Sequence, residues 1–340
     1  MRPPLGRIAR LRTTAYPRSM ATACAAELRA ALAAAREAAR LTEAVRASLR
    51  PGTVAKDDRS PVTVADYGAQ ALICRSLARA FPHDPVVGEE HGRALREPGG
   101  QAMLARVVEE VAAIVPDATA ADVLAWIDHG DGAPAGRWWT LDPVDGTRGF
   151  LRGDQYAIAV ALIEGGTVRV GVLACPALSL VGAGGTLFGA VAGQGAFMEP
   201  LAGGPRRPLA VVQPGDTAHL RFAESVEAGH GDQQRQAAIA RAAGITAPPL
   251  RMDSQAKYGI VAAGEAALYL RLPNPDTPAY REKAWDHAAG ALLVAEAGGR
   301  VTDAHGRSLD FAAGATLARN QGIVASNGAI HDAVLGALAG

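Results

Sequence analysis

Residues 139–174 read WTLDPVDGTRGFLRGDQYAIAVALIEGGTVRVGVLA. An apolar run ends here in two aspartates three apart, Asp142 and Asp145, around Pro143. Two alternating apolar runs follow, joined at Glu164-Gly165-Gly166, which is the pattern of a β-hairpin. A strand over 137–142 and a hairpin after it predict a largely antiparallel sheet with two carboxylates at one strand's end. Pro143 fixes its own φ and removes a backbone donor, and Gly146 permits an unusual turn. Both carboxylates can therefore point into one pocket, with the Val144 carbonyl between them. Like charges so close raise each other's pKa unless something positive sits between them. A metal ion would serve, although a capped turn explains the tetrad alone, because Asp-Pro and Asp-Gly are common turn pairs.

Other acids bear on that choice. Glu89 and Glu90 follow the short apolar run Val86-Val87, which reads as a buried strand. Asp66 lies at the start of a helix expected over 66–80, and Asp286 at the start of one expected over 284–297. Each alone has a bland reading, as an exposed pair or a helix-start acid. Together they are oxygen ligands without a Cys or His cluster, the set that suits Mg²⁺. Two such ions roughly 4 Å apart would clamp a phosphate and generate a nucleophilic water. His287 and His305 have no evident partners and read as structural. The stretches GAGG and GQGA lack the lysine of a phosphate-binding loop and read as turns.

The remaining composition narrows the class. The chain has 340 residues, 34 basic and 34 acidic, a balance that argues against non-specific nucleic-acid binding. Cys24, Cys74 and Cys175 are too scattered for a disulfide framework or a thiolate zinc site. No stretch reaches the roughly 18 apolar residues of a membrane span, so a soluble protein is expected. Residues 1–26 hold five arginines and no acid, the composition of an organellar transit peptide for chloroplast or mitochondrion. A disordered basic tail on a cytoplasmic protein is the alternative. An alanine-rich helix from residue 25 opens an α+β domain over 27–214. Alternating strands and helices mark a second, α/β domain over 215–340.

GEE at 88–90, LDPVDGT at 141–147 and WDHAAG at 285–290 resemble the three signatures of the lithium-sensitive, Mg²⁺-dependent phosphomonoesterases of the inositol monophosphatase superfamily. More narrowly, DDRSPVTVADYGAQ, WTLDPVDGTRGFLRGDQYAIAVALI, DSQAKYG and LYLRLP resemble the 3′(2′),5′-bisphosphate nucleotidases. The resemblance implies an α+β fold, the layered αβαβα sandwich of inositol monophosphatase and fructose-1,6-bisphosphatase. It implies two or three Mg²⁺ ions, one on Glu89, Asp142 and the Val144 carbonyl, another on Asp142, Asp145 and Asp286. Asp66 would pair with the Thr147 hydroxyl to orient and deprotonate the attacking water. Lithium inhibition is implied in the same way.

The substrate is a separate question. Ser254, Gln255, Ala256 and Lys257 open a helix after the strand expected at LRMD, a natural anion site. Arg271 ends the strand expected at LYLRL. A second phosphate, remote from the metals, would need such cations, and a sugar polyol would not. The resemblance assigns Ser254, Lys257 and Arg271 to the uncleaved phosphate, counts Thr147 among the substrate-binding residues and places His230 near the nucleotide. Around His230 the chain reads GHGDQQ and departs from the family pattern. The expected activity is hydrolysis of adenosine 3′,5′-bisphosphate to AMP, with 3′-phosphoadenylyl sulfate as a second substrate. An inositol phosphatase and a non-catalytic nucleotide sensor are the alternatives. Oligomeric state is left open, with a monomer as the simplest case.

Overall fold

The computed structural model describes residues 23–48, 60–215, 219–226, 232–273, 277 and 279–339. The arginine-rich stretch before residue 23 and His230 lie outside the described residues.

Helix α1 (Ala25–Ser48) buries Ala31, Ala34, Ala35, Ala38 and Ala39 on one stripe. These small side chains let α2 (Ser60–Ala80) and a sheet approach closely. The expected start of α2 at residue 66 is corrected: the helix begins at Ser60. Pro61 falls in its first turn, where a missing N–H breaks no helical bond. Asp66 is consequently an interior helical residue and not a cap.

The first sheet has seven strands in sequence order: β1 (Val86–Gly88), β2 (Arg137–Asp145), β3 (Ala157–Glu164), β4 (Thr167–Cys175), β5 (Thr186–Val191), β6 (Ala196–Pro200) and β7 (Arg207–Pro208). Only the β1–β2 pair is parallel. Helices α3 (Arg93–Arg96), α4 (Gln101–Ala112) and α5 (Ala120–Asp128) fill the connection between those two strands, and α6 (Thr147–Arg152) follows β2.

The second sheet holds β8 (Phe222–Glu224), β9 (Leu250–Arg251), β10 (Leu268–Arg271), β11 (Arg300–Thr302) and β12 (Ile323–Ser326), in the order β11-β12-β10-β8-β9. Strands β8, β9 and β10 run parallel, and β12 is antiparallel to both of its neighbours. Helices α7 (Gln233–Ala242), α8 (Ala256–Ala262), α9 (Ala288–Glu296) and α10 (His331–Ala339) complete the chain.

The layers follow from these contacts. Helices α1 and α2 cover one face of the first sheet, while α8 and α9 lie between the two sheets. Helices α7 and α10 cover the outer face of the second sheet. The result is the αβαβα sandwich, of α+β class. One apolar cluster runs through the middle, from Phe188 and Leu173 through Tyr258 and Leu293 to Tyr269 and Ala325.

The middle layer sits tightly on β4. A Cβ added at Gly171 would stand 2.8 Å from the Ala289 carbonyl oxygen and 3.1 Å from its Cα, both backbone atoms of α9. Only a residue without a side chain lets α9, and the segment that precedes it, lie so close to the sheet. We expect Gly171→Ala to destabilise the fold by about 1–3 kcal/mol through overpacking. Urea unfolding checks this, and an unmoved midpoint would contradict the close approach.

Candidate active site

On an unbroken strand, residues three apart face opposite sides. Strand β2 is not unbroken at its end. Asp142 pairs with Ala159 and Asp145 with Ala157, so three steps on β2 match two on β3. The extra residue of this bulge restores the parity and brings both carboxylates to one side. The Val144 N–H donates to Asp142 Oδ1 at 3.1 Å, which fixes the bulge locally. Pairing with β1 has already ended at Leu141, so Pro143 breaks no ladder on that side.

Gly146 then turns the chain with φ +89°. A Cβ there would lie 2.9 Å from the Cβ of Ser254, which arrives from the second sheet. Ser254 itself has φ +67°, a left-handed conformation uncommon outside glycine. Its Oγ accepts from the Ala256 N–H at 3.2 Å. The next residue is the joint. Gln255 N–H donates to Asp145 Oδ2 at 2.5 Å, and its Nε2 donates to the Trp285 carbonyl at 3.0 Å. Gln255 thus ties the end of β2 to the turn that carries Asp286. Sequence reasoning gave it no role of its own, because an amide in an anion-site loop has no distinguishing spacing.

Glu89, Asp142, Val144, Asp145, Thr147, Ser254, Lys257, Arg271 and Asp286 all line one cleft of about 270 Å³. Asp66 is not in its wall. It is buried behind it, facing Glu90 and Glu89. Among the described residues no hydrogen bond joins Asp66 to Thr147. Asp286 is corrected from a helix-start position: α9 begins at Ala288, and Asp286 lies in the turn before it, its N–H donating to the Lys283 carbonyl at 3.2 Å.

The acids of the cleft are electrostatically frustrated. Burial, then Glu89, Asp145 and Asp286, push Asp142 well above the usual carboxylate range. Burial, partly offset by His287, lifts Asp286 to about 6. Burial lifts Glu89 to about 7, partly offset by a hydrogen bond shared with Asp142 and reinforced by Asp286. Glu89 is the most exposed of these acids, so water screens part of its effect, and the buried Asp142 and half-buried Asp286 carry more weight. Burial, then Glu90 and Glu89, raise Asp66 strongly.

The cations Lys257 and Arg271 line the same cleft. Lys257 is 3% exposed, with Nζ donating to the Met252 carbonyl at 3.3 Å and lying 5.2 Å from the Tyr269 ring centre. It is a buried amine, lowered to about 8 by burial, with Asp145 and Asp253 opposing. Arg271 meets Glu282 through Nε at 2.7 Å. Burial works against its guanidinium, but Glu282 together with Tyr269, Asp286 and Tyr280 more than offsets that, so it stays charged.

The expectation that His287 and His305 lack partners is corrected. His287 Nδ1 meets the Tyr258 hydroxyl at 2.9 Å and Nε2 meets Glu282 Oε2 at 3.0 Å, while His305 Nε2 lies 3.2 Å from Gln321 Oε1. Tyr258 and Gln321 come from distant sequence, and Glu282, five residues before His287, reaches it across a turn that no helical or strand spacing marks.

Glu282, Asp286 and His287 are the trio of potential ligands whose atoms lie within 4.8 Å of one another among the described residues. Glu282 is already engaged by Arg271 and His287, which makes this an ion-pair web. No three of Glu89, Asp142, Asp145 and Asp286 come that close, but all four face one cleft. Their donors are all oxygen, and their mutual repulsion is relieved by protons or by hard divalent cations. The donor set therefore fits Mg²⁺ and does not fit a thiophilic metal.

The sign of the pH effect follows. Asp286 binds its proton more tightly folded than unfolded, with about 6 against an ordinary 3.8. Its contribution to stability is complete at low pH and is lost as pH rises through the folded value. In chelator, unfolding free energy should fall by on the order of 2 kcal/mol between about pH 4 and pH 7 from this group. Saturating Mg²⁺ should remove the fall. Urea unfolding at stepped pH tests both arms, and identical slopes with and without cation would contradict the cluster.

Comparison with known proteins gives the same frame. The model of the inositol monophosphatase family matches residues 19–339. The chain is 44% identical to a 3′(2′),5′-bisphosphate nucleotidase of Emericella nidulans, over 88% of this chain and 93% of the relative. It is 45% identical to one from Oryza sativa, over 92% and 94%. Among solved structures, an inositol monophosphatase from Zymomonas mobilis superposes with TM-score 0.62 at 20% identity, covering 94% of this chain and 99% of that one. CysQ from Bacteroides thetaiotaomicron gives 0.59 at 21% identity, covering 88% and 97%. These structures share the fold. By its matched length and by relatives at this identity, the chain belongs to the inositol monophosphatase family and is a phosphatase.

Proposed function

We propose that the protein is a 3′(2′),5′-bisphosphate nucleotidase that hydrolyses adenosine 3′,5′-bisphosphate to AMP and phosphate, and 3′-phosphoadenylyl sulfate to adenylyl sulfate. One observation carries the reading: a single cleft is lined both by the acids Glu89, Asp142, Asp145 and Asp286 and by the cations Lys257 and Arg271. A substrate with one phosphate to be cleaved and another to be held matches both sets of groups. The names of the relatives support the same substrate class.

Glu89, Asp142, the Val144 carbonyl, Asp145 and Asp286 are the residues that would hold Mg²⁺, two or three ions in all. Bound there, such ions supply charge neutralisation for the phosphate and activate water for attack. The chain's own residues do the rest. Lys257, Arg271 and Ser254 hold the uncleaved phosphate and so fix the distance of the scissile one from the acids. Thr147, exposed at the start of α6 on the cleft wall, meets the cleaved phosphate and orients water with its hydroxyl. Asp66, raised by burial and by its acidic neighbours, has the basicity to accept the water's proton. His230 is assigned to the nucleotide. The arginine-rich residues 1–26 would direct the enzyme to chloroplast or mitochondrion, and a diffuse cytosolic signal from a fluorescent fusion of those residues would refute that address. Among the described residues no helix is long and apolar enough to cross a membrane.

Phosphate release from adenosine 3′,5′-bisphosphate, 3′-AMP and inositol 1-phosphate tests the assignment. Preference for inositol 1-phosphate would replace it with an inositol phosphatase. Asp145→Asn should fold normally and lose about 10³-fold or more in kcat, roughly 4 kcal/mol of barrier.

Lys257→Ala isolates the substrate claim. Charge-assisted contacts to a phosphate contribute about 1.5–3 kcal/mol. The variant should lower kcat/KM for the bisphosphate by about 10- to 150-fold. Hydrolysis of 3′-AMP, which has no second phosphate, should hardly change. Equal slowing of both substrates would mean that Lys257 supports the fold or the acid cluster instead.

A further inference from the structure

Gln70 is fully buried on α2, one helical turn after Asp66, and the reaction scheme above does not use it. Its side-chain amide bonds completely. Oε1 accepts from the Glu90 N–H at 3.0 Å, and Nε2 donates to the Glu90 carbonyl and to the Ile127 carbonyl, the latter at 3.4 Å. The amide orientation is dictated by its partners, because a backbone N–H can only donate and two carbonyls can only accept.

The backbone around it is built to admit this side chain. A Cβ at Gly88 would lie 2.5 Å from Gln70 Oε1, and one at Gly130 would lie 2.7 Å from Nε2. Strand β1 ends at Gly88, where its pairing with β2 stops at Leu141. Glu90 therefore has no strand partner, and its N–H and C=O would lack bonds in this part-buried place. Gln70 supplies both, as a neighbouring strand would. From the same helix, the Tyr67 hydroxyl donates to the His91 carbonyl at 3.4 Å.

We infer that Gln70 is a positioning residue whose amide replaces a missing strand partner and fixes the backbone that presents the Glu89 carboxylate to the cleft. The inference rests on the proposal that Glu89 is a cation ligand. It acts through Glu89 alone, so it alters cation affinity and not the choice between substrates. Partners that orient metal ligands from behind change metal affinity by about 10- to 100-fold when removed.

The test uses the full chain and Mn²⁺ titrated calorimetrically without substrate. Gln70→Met keeps the volume and removes all three bonds. It should bind Mn²⁺ about 10- to 100-fold more weakly, with the Mg²⁺ needed for half-maximal activity rising by the same factor. Its kcat at saturating Mg²⁺ and its ratio of bisphosphate to 3′-AMP turnover should stay near wild type. Gln70→Glu, held neutral by burial, keeps the acceptor for Glu90 and one donor, and should fall between. Wild-type affinity in Gln70→Met would overturn the inference. So would rapid amide exchange at Glu90 in the wild type, a measurement that decides the matter even if Gln70→Met does not fold. Glu89→Gln is titrated alongside. Unchanged affinity there would remove the ligand reading of Glu89 and the inference with it, whereas loss in Glu89→Gln without loss in Gln70→Met would defeat the positioning role alone.

Discussion

Mutual repulsion among Glu89, Asp142, Asp145 and Asp286 is the constraint around which this fold is arranged. No single element could carry four such acids, because neighbours on one strand or helix would relax apart. They are brought in by three separate backbone devices: the end of β1, the bulge of β2 and the turn before α9. Each device is anchored by something apolar or close-packed behind it, such as the α9 backbone lying against Gly171. The stability of the sandwich holds the charges together, and the charges leave the cleft with an affinity for cations that no uncharged pocket of this size would have.

The acids and the cations of the cleft are not independent. Lys257 and Arg271 lie on the second sheet and its helix, yet Asp145 and Asp253 keep Lys257 from losing its proton altogether. Gln255 makes the mechanical connection, with its N–H on Asp145 and its side chain on the carbonyl of Trp285. The positive φ of Ser254 is what aims that N–H across the gap, and Gly146 leaves room for it. A residue of positive φ and a glycine thus meet where the two sheets join, and under the proposed function this contact would help set how a two-phosphate substrate lies.

Much of this was legible in the sequence because it was local. The hairpin at Glu164-Gly165-Gly166, the alanine stripe of α1 and the acids at strand ends all follow from spacing within a few residues. The hinge at Asp142-Pro143-Val144-Asp145 was half legible. Proline and glycine marked an irregularity, but the bulge that equalises the two carboxylates depends on the register with Ala157 and Ala159, which no local pattern encodes. The start of α2 was misplaced because Pro61 reads as a stop from outside and is tolerated as a first-turn residue from within. The partners of His287 and the environment of Lys257 are tertiary facts, visible only when Tyr258, Glu282 and Tyr269 converge.

Burial of Lys257 changes what its charge means. An exposed lysine would attract any anion with a screened field, and its loss would be felt weakly by all of them. A buried amine beside the Tyr269 ring, lowered to about 8, is charged at the cost of desolvation, and a phosphate that reaches it restores what burial removed. The interaction is therefore strongest for a ligand whose second anion arrives at that one depth. Arg271 is already shared with Glu282 through Nε. Under the proposed function, selectivity for a bisphosphate over a monophosphate would rest on Lys257 as the charge and Arg271 as the fork.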